Sequence, residues 1–110
     1  MRGENERLLD ILEAIERIEK YAVEGKSVFE SDELIQTWIV HHITVIGESC
    51  RSLSDEFQAR YANIPWADII GMRNILVHHY FGIDTDAVWS VVEHDIPELK
   101  FNIETILKNI

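Results

Sequence analysis

The 110-residue sequence contains one cysteine, two prolines and five glycines. A lone cysteine can neither close an internal disulfide nor complete a Cys-x-x-Cys metal site, so we expect packing alone to hold the fold. No run approaches the ~18 consecutive apolar residues of a membrane-spanning helix, and the first residues lack the cationic and then apolar pattern of a signal peptide. The sequence therefore predicts a cytoplasmic protein with no membrane association.

Basic residues are also scarce, with ten Lys and Arg against 20 Asp and Glu, for a formal net charge of −10. This excess works against long-range attraction to nucleic acids and anionic membranes. A nucleic-acid function would therefore need positive charge gathered locally. The simplest alternative that the charge indicates is a basic protein partner.

Length and composition are ordinary for one globular domain, with 46% hydrophobic and 27% charged residues. Domains cluster near ~100–150 residues, so we expect residues 1–110 to form a single domain with one core.

Apolar residues recur along the chain at the i, i+3, i+4, i+7 spacing of amphipathic helices. The predicted segments are helices at 6–22, 32–53, 65–81 and 84–109 and a short turn at 54–61. The predicted N-caps are Ser31 or Asp32, Ser54, and Asp84 or Thr85. Pro97 should kink or split the last helix near 94–96. No run shows sustained period-two alternation, so the sequence predicts an all-α, up-and-down bundle of four to five helices and no sheet.

The helix predicted at 32–53 is apolar around most of its circumference. Ile39 and Ile46 lie on its main apolar face, and Val40 and Ile43 lie outside that face. One neighbour cannot cover so wide an arc. We expect this helix to be central in the bundle and to contact a second copy of the chain.

Arg73 falls within the apolar arc of the third predicted helix on an ideal wheel. An unpaired guanidinium in a dry core is strongly destabilising, so a partner or a water-filled cleft is expected opposite it. One interpretation is a structural arginine that pairs with Glu48 or extends to the surface. The other is an anion site, because His78, His79 and Tyr80 follow within seven residues.

Residues 73–80, Arg-Asn-Ile-Leu-Val-His-His-Tyr, contain an Arg-x4-His-x-Tyr motif. This motif resembles the signature of the HepT-like branch of the HEPN nucleases (higher eukaryote and prokaryote nucleotide-binding domain). The flanking run at 64–84, Ile-Gly-Glu-Ser at 46–49 and Val-Trp at 88–89 are also similar to that family. One position departs from its pattern, since His79 stands where the family often has an acidic residue.

The resemblance implies a HEPN-like helical homodimer with metal-independent RNase activity and no cofactor, in which Arg73 and His78 are catalytic. It further implies the toxin of a type VII-like toxin–antitoxin pair. The implied partner is an MntA-like nucleotidyltransferase that neutralises the toxin by transferring AMP to Tyr80, in a dimer or a higher complex. Asn74, His79 and Glu48 are the supporting candidates.

The chemistry of these residues agrees with RNA cleavage. Without a metal, cleavage needs a base for the 2′-hydroxyl proton, a cation for the charged phosphorane and an acid for the leaving oxygen. The imidazole of His78 could be the base or the acid, and the fork of Arg73 can bind phosphate bidentately. Arg73 and His78 are five residues apart, and on an ideal helix such residues point about 140° apart and need not converge. Either the helix unwinds ahead of Gly82, or a second subunit completes the site.

Other candidates carry less chemistry. No metal site is expected, because His41, His42 and His79 lack chelating spacing, and His42 should be an interior histidine. Cys50 should fill the core. The carboxylates between Asp84 and Glu98 should form a solvated face, which could also dock a basic antitoxin.

A second functional hypothesis is a non-catalytic HEPN module that binds a nucleotide or a partner, such as the accessory subunit of a nucleotidyltransferase. The net charge favours this module, and the intact motif favours the RNase.

Overall fold

The structure, a computed structural model, describes residues 3–78 and 82–109, with backbone alone at positions 75, 77 and 78. The α-helices are α1 (Glu4–Ala22), α2 (Lys26–Ser31), α3 (Glu33–Arg51), α4 (Asp55–Arg60), α5 (Trp66–Leu76), α6 (Thr85–Ser90) and α7 (Ile96–Lys108). A π-helical turn, Val91–Asp95, joins α6 to α7, and two short strands are β1 (Val77–His78) and β2 (Gly82–Ile83). The predicted all-α class is confirmed.

Side chains at the predicted positions cap three of the helices. Asp32 accepts a hydrogen bond from the backbone N–H of Leu34 at 2.9 Å, at the start of α3. Ser54 caps α4 through the N–H of Phe57, and Asp84 caps α6 through the N–H of Ala87, both at 3.1 Å. Each bond satisfies a donor that has no partner within its own helix.

The last segment divides where Pro97 predicted. The π-helical turn ends at Asp95 and α7 begins at Ile96, which places Pro97 in the first turn of α7. A proline is tolerated there because the first N–H groups of a helix lack helical acceptors.

Helix α3 is the central element, as its wide apolar arc predicted, and packs against both α1 and α5. Val40 and Ile43, which lie outside its main apolar face, are 7% and 2% exposed within this one chain. The single hydrophobic cluster of the described residues includes side chains from every α-helix. Since α1 and α5 already cover the arc, its width gives no argument for a second copy, and the homodimer stays a prediction.

The third predicted helix is shorter than expected. It was predicted to run to Phe81, but α5 ends at Leu76 and β1 follows, so the prediction was wrong beyond Leu76. Val77 pairs with Ile83 and His78 with Gly82 in antiparallel register, and the N–H of Asp84 donates to the Leu76 carbonyl at 2.8 Å. These bonds replace the helical ones. The prediction of no sheet holds for the architecture, because this two-residue pairing is the whole β structure of the described ranges.

Across residues 3–78 and 82–109, no helix combines the length and hydropathy that spanning a membrane requires.

Candidate active site

Because Gly47 has no side chain, the backbones of α3 and α5 can approach each other closely at this position. A Cβ at this position would lie 3.3 Å from the carbonyl oxygen of Ile70 and 3.5 Å from that of Ile69. A larger side chain would therefore press against the α5 backbone itself, which has little freedom to move away. The Ile-Gly-Glu-Ser segment at 46–49 thus sets the separation of these two helices.

A cleft of about 330 Å³ opens beside this contact. It is lined by Ile43, Thr44, Gly47, Glu48 and Arg51 of α3 and by Ile70, Arg73 and Asn74 of α5. The cleft therefore brings together three of the predicted site residues: Arg73, Asn74 and Glu48.

Arg73 is exposed, which corrects its predicted place inside an apolar face. The buried side chains that the structure describes on α5 are Trp66, Ile69, Met72 and Leu76. Met72 lies about 100° from Arg73 around the helix, so this part of α5 turns Met72 into the core and leaves Arg73 on the cleft. Among the described residues, no ion pair or hydrogen bond involves the side chain of Arg73, so the structure gives no support to a structural pair with Glu48. An open guanidinium of this kind can bind a phosphate.

Arg51 is a residue that the sequence reasoning missed. It lies in the last turn of α3, is exposed and lines the same cleft as Arg73. A signal was present, because Arg51 is four residues after Gly47 and three after Glu48, so it shares their helix face.

The three remaining motif residues follow α5. The backbone of His78 lies in β1, two residues beyond the end of the helix, and its side chain is outside the description. His79 and Tyr80 lie outside the described residues, so their predicted roles stay predictions. On a continuous helix, Arg73 and His78 would point about 140° apart. The backbone shows that the helix unwinds ahead of Gly82, since α5 has ended before His78, so this angle no longer applies.

Two interior groups are placed as predicted. Cys50 is fully buried, and burial raises the pKa of its thiol to about 12. His42 is 6% exposed, its Nδ1–H donates to the Trp38 carbonyl at 2.8 Å, and burial lowers its pKa. The part of the chain that the structure describes assembles no group of three His, Cys, Asp or Glu able to hold a metal ion.

A second groove, of about 190 Å³, lies on the other side of the α3–α5 contact and extends to α7. Its apolar lining comes from Ile43, Ile46, Ile64, Pro65, Ile69, Met72, Ile96 and Leu99. Its charged residues are Asp68, Asp95 and Glu98, all acidic and exposed. Of the carboxylates at 84–98, four are exposed as the predicted solvated face requires: Asp86, Glu93, Asp95 and Glu98. Asp84 is half-buried and caps α6, and Glu93 also accepts a hydrogen bond from Trp89 Nε1 at 3.2 Å.

Comparison with known proteins gives consistent matches. A family model described as "Ribonuclease HepT-like" matches residues 11–106. The chain is 36% identical over 108 residues to "Probable ribonuclease HepT" of Thermococcus cleftensis, covering 97% of this chain and 98% of that protein. It is 32% identical over 100 residues to a "Putative RNase" of Methanocaldococcus jannaschii, covering 90% and 92% of the two chains.

Another relative from Methanocaldococcus jannaschii is longer. Its name is "Gamma-glutamylcyclotransferase and putative RNase", and it is 39% identical over 101 residues. The match covers 91% of this chain and 46% of that protein. No solved structure matches.

Proposed function

We propose a function from one premise: this chain belongs to the HepT-like ribonuclease family. The family supports an RNase, and the proposal adds that RNA is cleaved without a metal ion, with Arg73 and His78 as the catalytic residues. The observation that carries it is the exposed guanidinium of Arg73, which has no ion pair among the described residues and lines a polar cleft.

Each catalytic group has a defined task in this scheme. His78 takes the proton of a ribose 2′-hydroxyl, whose oxygen attacks the adjacent phosphorus. Arg73 stabilises the additional negative charge of the phosphorane. The bond from phosphorus to the 5′-oxygen then breaks, and that oxygen takes a proton from an acid, for which we propose His78 of a second copy. The products are a 2′,3′-cyclic phosphate and a 5′-hydroxyl.

Glu48 and Asn74 support this scheme as hydrogen-bonding groups in the cleft. The carboxylate of Glu48 can accept a bond from a ribose hydroxyl, and the amide of Asn74 can both donate and accept. Contact with the 2′-hydroxyl would distinguish RNA from DNA.

The direct test is cleavage of an oligoribonucleotide by the purified protein in EDTA. The expected products end in a 2′,3′-cyclic phosphate or the 3′-phosphate formed from it, and the matching oligodeoxyribonucleotide stays intact because it has no 2′-hydroxyl. Loss of cleavage on chelation, restored by a divalent cation, would contradict the metal-independent mechanism.

The proposal also gives the RNase its setting, as the cytoplasmic toxin of a type VII-like toxin–antitoxin pair. An MntA-like nucleotidyltransferase would transfer AMP from ATP to the hydroxyl of Tyr80, with release of pyrophosphate. The support is the position of Tyr80, two residues after His78 in the Arg-x4-His-x-Tyr motif. AMP attached there would place a phosphodiester close to the proposed catalytic residues and compete with RNA at high effective concentration.

Co-expression with the nucleotidyltransferase tests this setting. Tyr80 should gain the mass of AMP, located by peptide mapping, and RNase activity should disappear. Tyr80→Phe should keep RNase activity and escape both modification and neutralisation. Equal neutralisation of Tyr80→Phe would show that the partner acts by docking instead.

The homodimer is proposed for a chemical reason, since a second copy supplies the acid. Sedimentation at micromolar concentration should give the mass of two chains. A monomer that cleaves RNA at full rate would remove the second copy from the mechanism.

A further inference from the structure

We propose that Arg51 binds an RNA phosphate next to the one held by Arg73, so that the cleft between α3 and α5 accommodates two consecutive phosphates of one RNA strand. This inference rests on the proposed RNase function and adds a substrate-binding residue from outside the Arg-x4-His-x-Tyr motif.

The packing of the two helices places both arginines on one cleft. Arg51 follows Gly47 by one helical turn, and Arg73 follows Ile70 by three residues. Gly47 and Ile70 are the positions where the helices approach at backbone distance. Arg51 on α3 and Arg73 on α5 therefore both lie next to this contact, and both side chains line the same 330 Å³ volume.

The ion pairs of the protein leave both arginines open. Four basic side chains elsewhere in the described residues are paired: Arg17 with Glu13 at 2.9 Å, Lys100 with Glu19 at 3.0 Å, Arg60 with Glu56 at 3.6 Å and Lys26 with Asp86 at 3.9 Å. Within residues 3–78 and 82–109, neither Arg51 nor Arg73 takes part in an ion pair. Two open guanidinium groups face one carboxylate, Glu48, in this cleft. The cleft is thus locally positive in a chain whose net charge is −10.

A purely structural role does not account for Arg51. A basic residue in the last turn of a helix interacts favourably with the helix dipole. However, the amide of Gln58 already donates to two carbonyls at this end of α3, those of Cys50 at 3.1 Å and Leu53 at 3.2 Å. Helix termination therefore does not require the guanidinium of Arg51, which is exposed.

Two consecutive phosphates explain why one arginine would not suffice. Arg73 is assigned to the reacting phosphate, where its guanidinium stabilises the negative charge that develops. It is therefore not available to bind a second phosphate. A neighbouring phosphate adds its own negative charge in the same cleft. Arg51, the other basic residue that lines the cleft, can neutralise that charge. Arg51 would thus hold the strand in register while Arg73 stabilises the phosphorane.

The test compares Arg51→Ala with Arg60→Ala. Both remove one exposed arginine from the last turn of a helix, but Arg60 lies on α4, outside the cleft, and is paired with Glu56. Arg51→Ala should raise KM for an oligoribonucleotide about tenfold and lower kcat much less, since a binding contact rather than a reacting group is lost. Arg60→Ala should change KM less than twofold, and Arg51→Lys should recover part of the lost affinity.

Salt dependence gives a second readout. In a His78→Ala background, which should bind RNA without cutting it, the slope of log Kd against log salt should shrink by about 0.7 when Arg51 is also replaced by Ala, the value for one lost phosphate contact on a single strand. Free AMP, with one phosphate, should lose much less affinity than the oligoribonucleotide.

Three results would overturn the inference. They are equal KM values for Arg51→Ala and Arg60→Ala, an unchanged salt slope, and an equal loss of affinity for AMP and the oligoribonucleotide. Wild-type protein that neither cleaves nor binds RNA would instead overturn the proposed function, and the inference with it. Circular dichroism and urea unfolding of each variant separate a binding defect from a folding defect.

Discussion

The two sides of the α3–α5 contact carry opposite charge. On one side, Arg51 and Arg73 line a cleft with a single carboxylate, and on the other, Asp68, Asp95 and Glu98 line a groove with no basic residue. Both volumes are bounded by the same two helices. The comparison shows that a net charge of −10 does not describe the surface that a ligand meets, because the sign of the charge reverses across one helix.

This arrangement answers the objection that an acidic chain is unsuited to RNA. The field close to a charged surface is set by the nearest groups, and at physiological salt it decays over ~8 Å. The acidic groove repels a phosphate chain, and the cleft attracts it. Charge of both signs can therefore direct RNA to one side of α5.

The largest difference between the two sides is expected in catalysis. Arg73→Ala and His78→Ala should each lower the cleavage rate roughly 10²–10⁴-fold, the usual effect of removing a charge stabiliser or an acid–base group. Asp68→Asn, on the groove side of α5, should leave the rate within about twofold. The measurement is kcat/KM on a defined oligoribonucleotide, and normal cleavage by Arg73→Ala would return that residue to a structural role.

A large difference in the reactivity of the Cys50 thiol on α3 is expected between the folded and the unfolded chain. Cys50 adjoins the exposed Arg51 yet is fully buried, and its pKa of about 12 leaves on the order of 10³-fold less thiolate than an ordinary cysteine has. Native protein should therefore resist iodoacetamide at pH 8, and urea-unfolded protein should react completely, as followed by mass spectrometry. Rapid labelling of the native chain would show that the core side of α3 opens readily.

The close contact that separates the two sides should be sensitive to side-chain size. Gly47→Val would push against the α5 backbone, so we expect a loss of about 1–3 kcal/mol in the free energy of unfolding together with reduced cleavage. Gly71→Ala is the matched control on α5, because a Cβ there meets nothing within 4 Å. It should stabilise the helix by ~0.5–1 kcal/mol.

Urea unfolding of both glycine variants supplies the measurement. Equal stability of Gly47→Val and wild type would mean that the helices separate without loss, and Gly47 would then not set the width of the cleft.

Much of this fold could be predicted because its signals are local. Apolar spacing defined the long helices, and the caps at Ser54 and Asp84 follow from side chains that bond backbone donors three residues away. The end of α5 could not be predicted in this way. It depends on the pairing of Val77 with Ile83, and helical periodicity carries no information on such a contact.

The sequence indicated that Arg73 belongs to the site, but it could not show that Arg73 is exposed on a cleft. The motif indicated Arg73, but an ideal wheel placed it inside the apolar arc, since a wheel cannot show which neighbour covers which side. Only the packing of α3 on α5 shows that Met72 is buried and Arg73 is open. Arg51 went unnoticed for the same reason, since its partner on the cleft is 22 positions away and on another helix.

The smallest expected effect concerns His42, on the side of α3 that faces α1. Burial lowers its pKa in the folded state, so between that pKa and the unfolded value near ~6.5 the unfolded chain binds more protons. The stability that neutral His42 contributes is therefore fully present above pH ~6.5 and is lost as the pH falls through the folded pKa. His41 and Arg17 lower this pKa further, whereas Glu13 and the bond to Trp38 oppose the shift.

His42→Asn retains a donor for the Trp38 carbonyl without the titration. Its free energy of unfolding should follow that of wild type above pH 7, and wild type should lose more of it than the variant between pH 7 and 5. Because His42 lies away from the cleft, the pH profile of RNA cleavage should be the same in both proteins and should change in His78 variants. A shifted cleavage profile in His42→Asn would show that the α1 side of α3 is coupled to the cleft, and the separation of charge across α5 would then not be enough to describe the site.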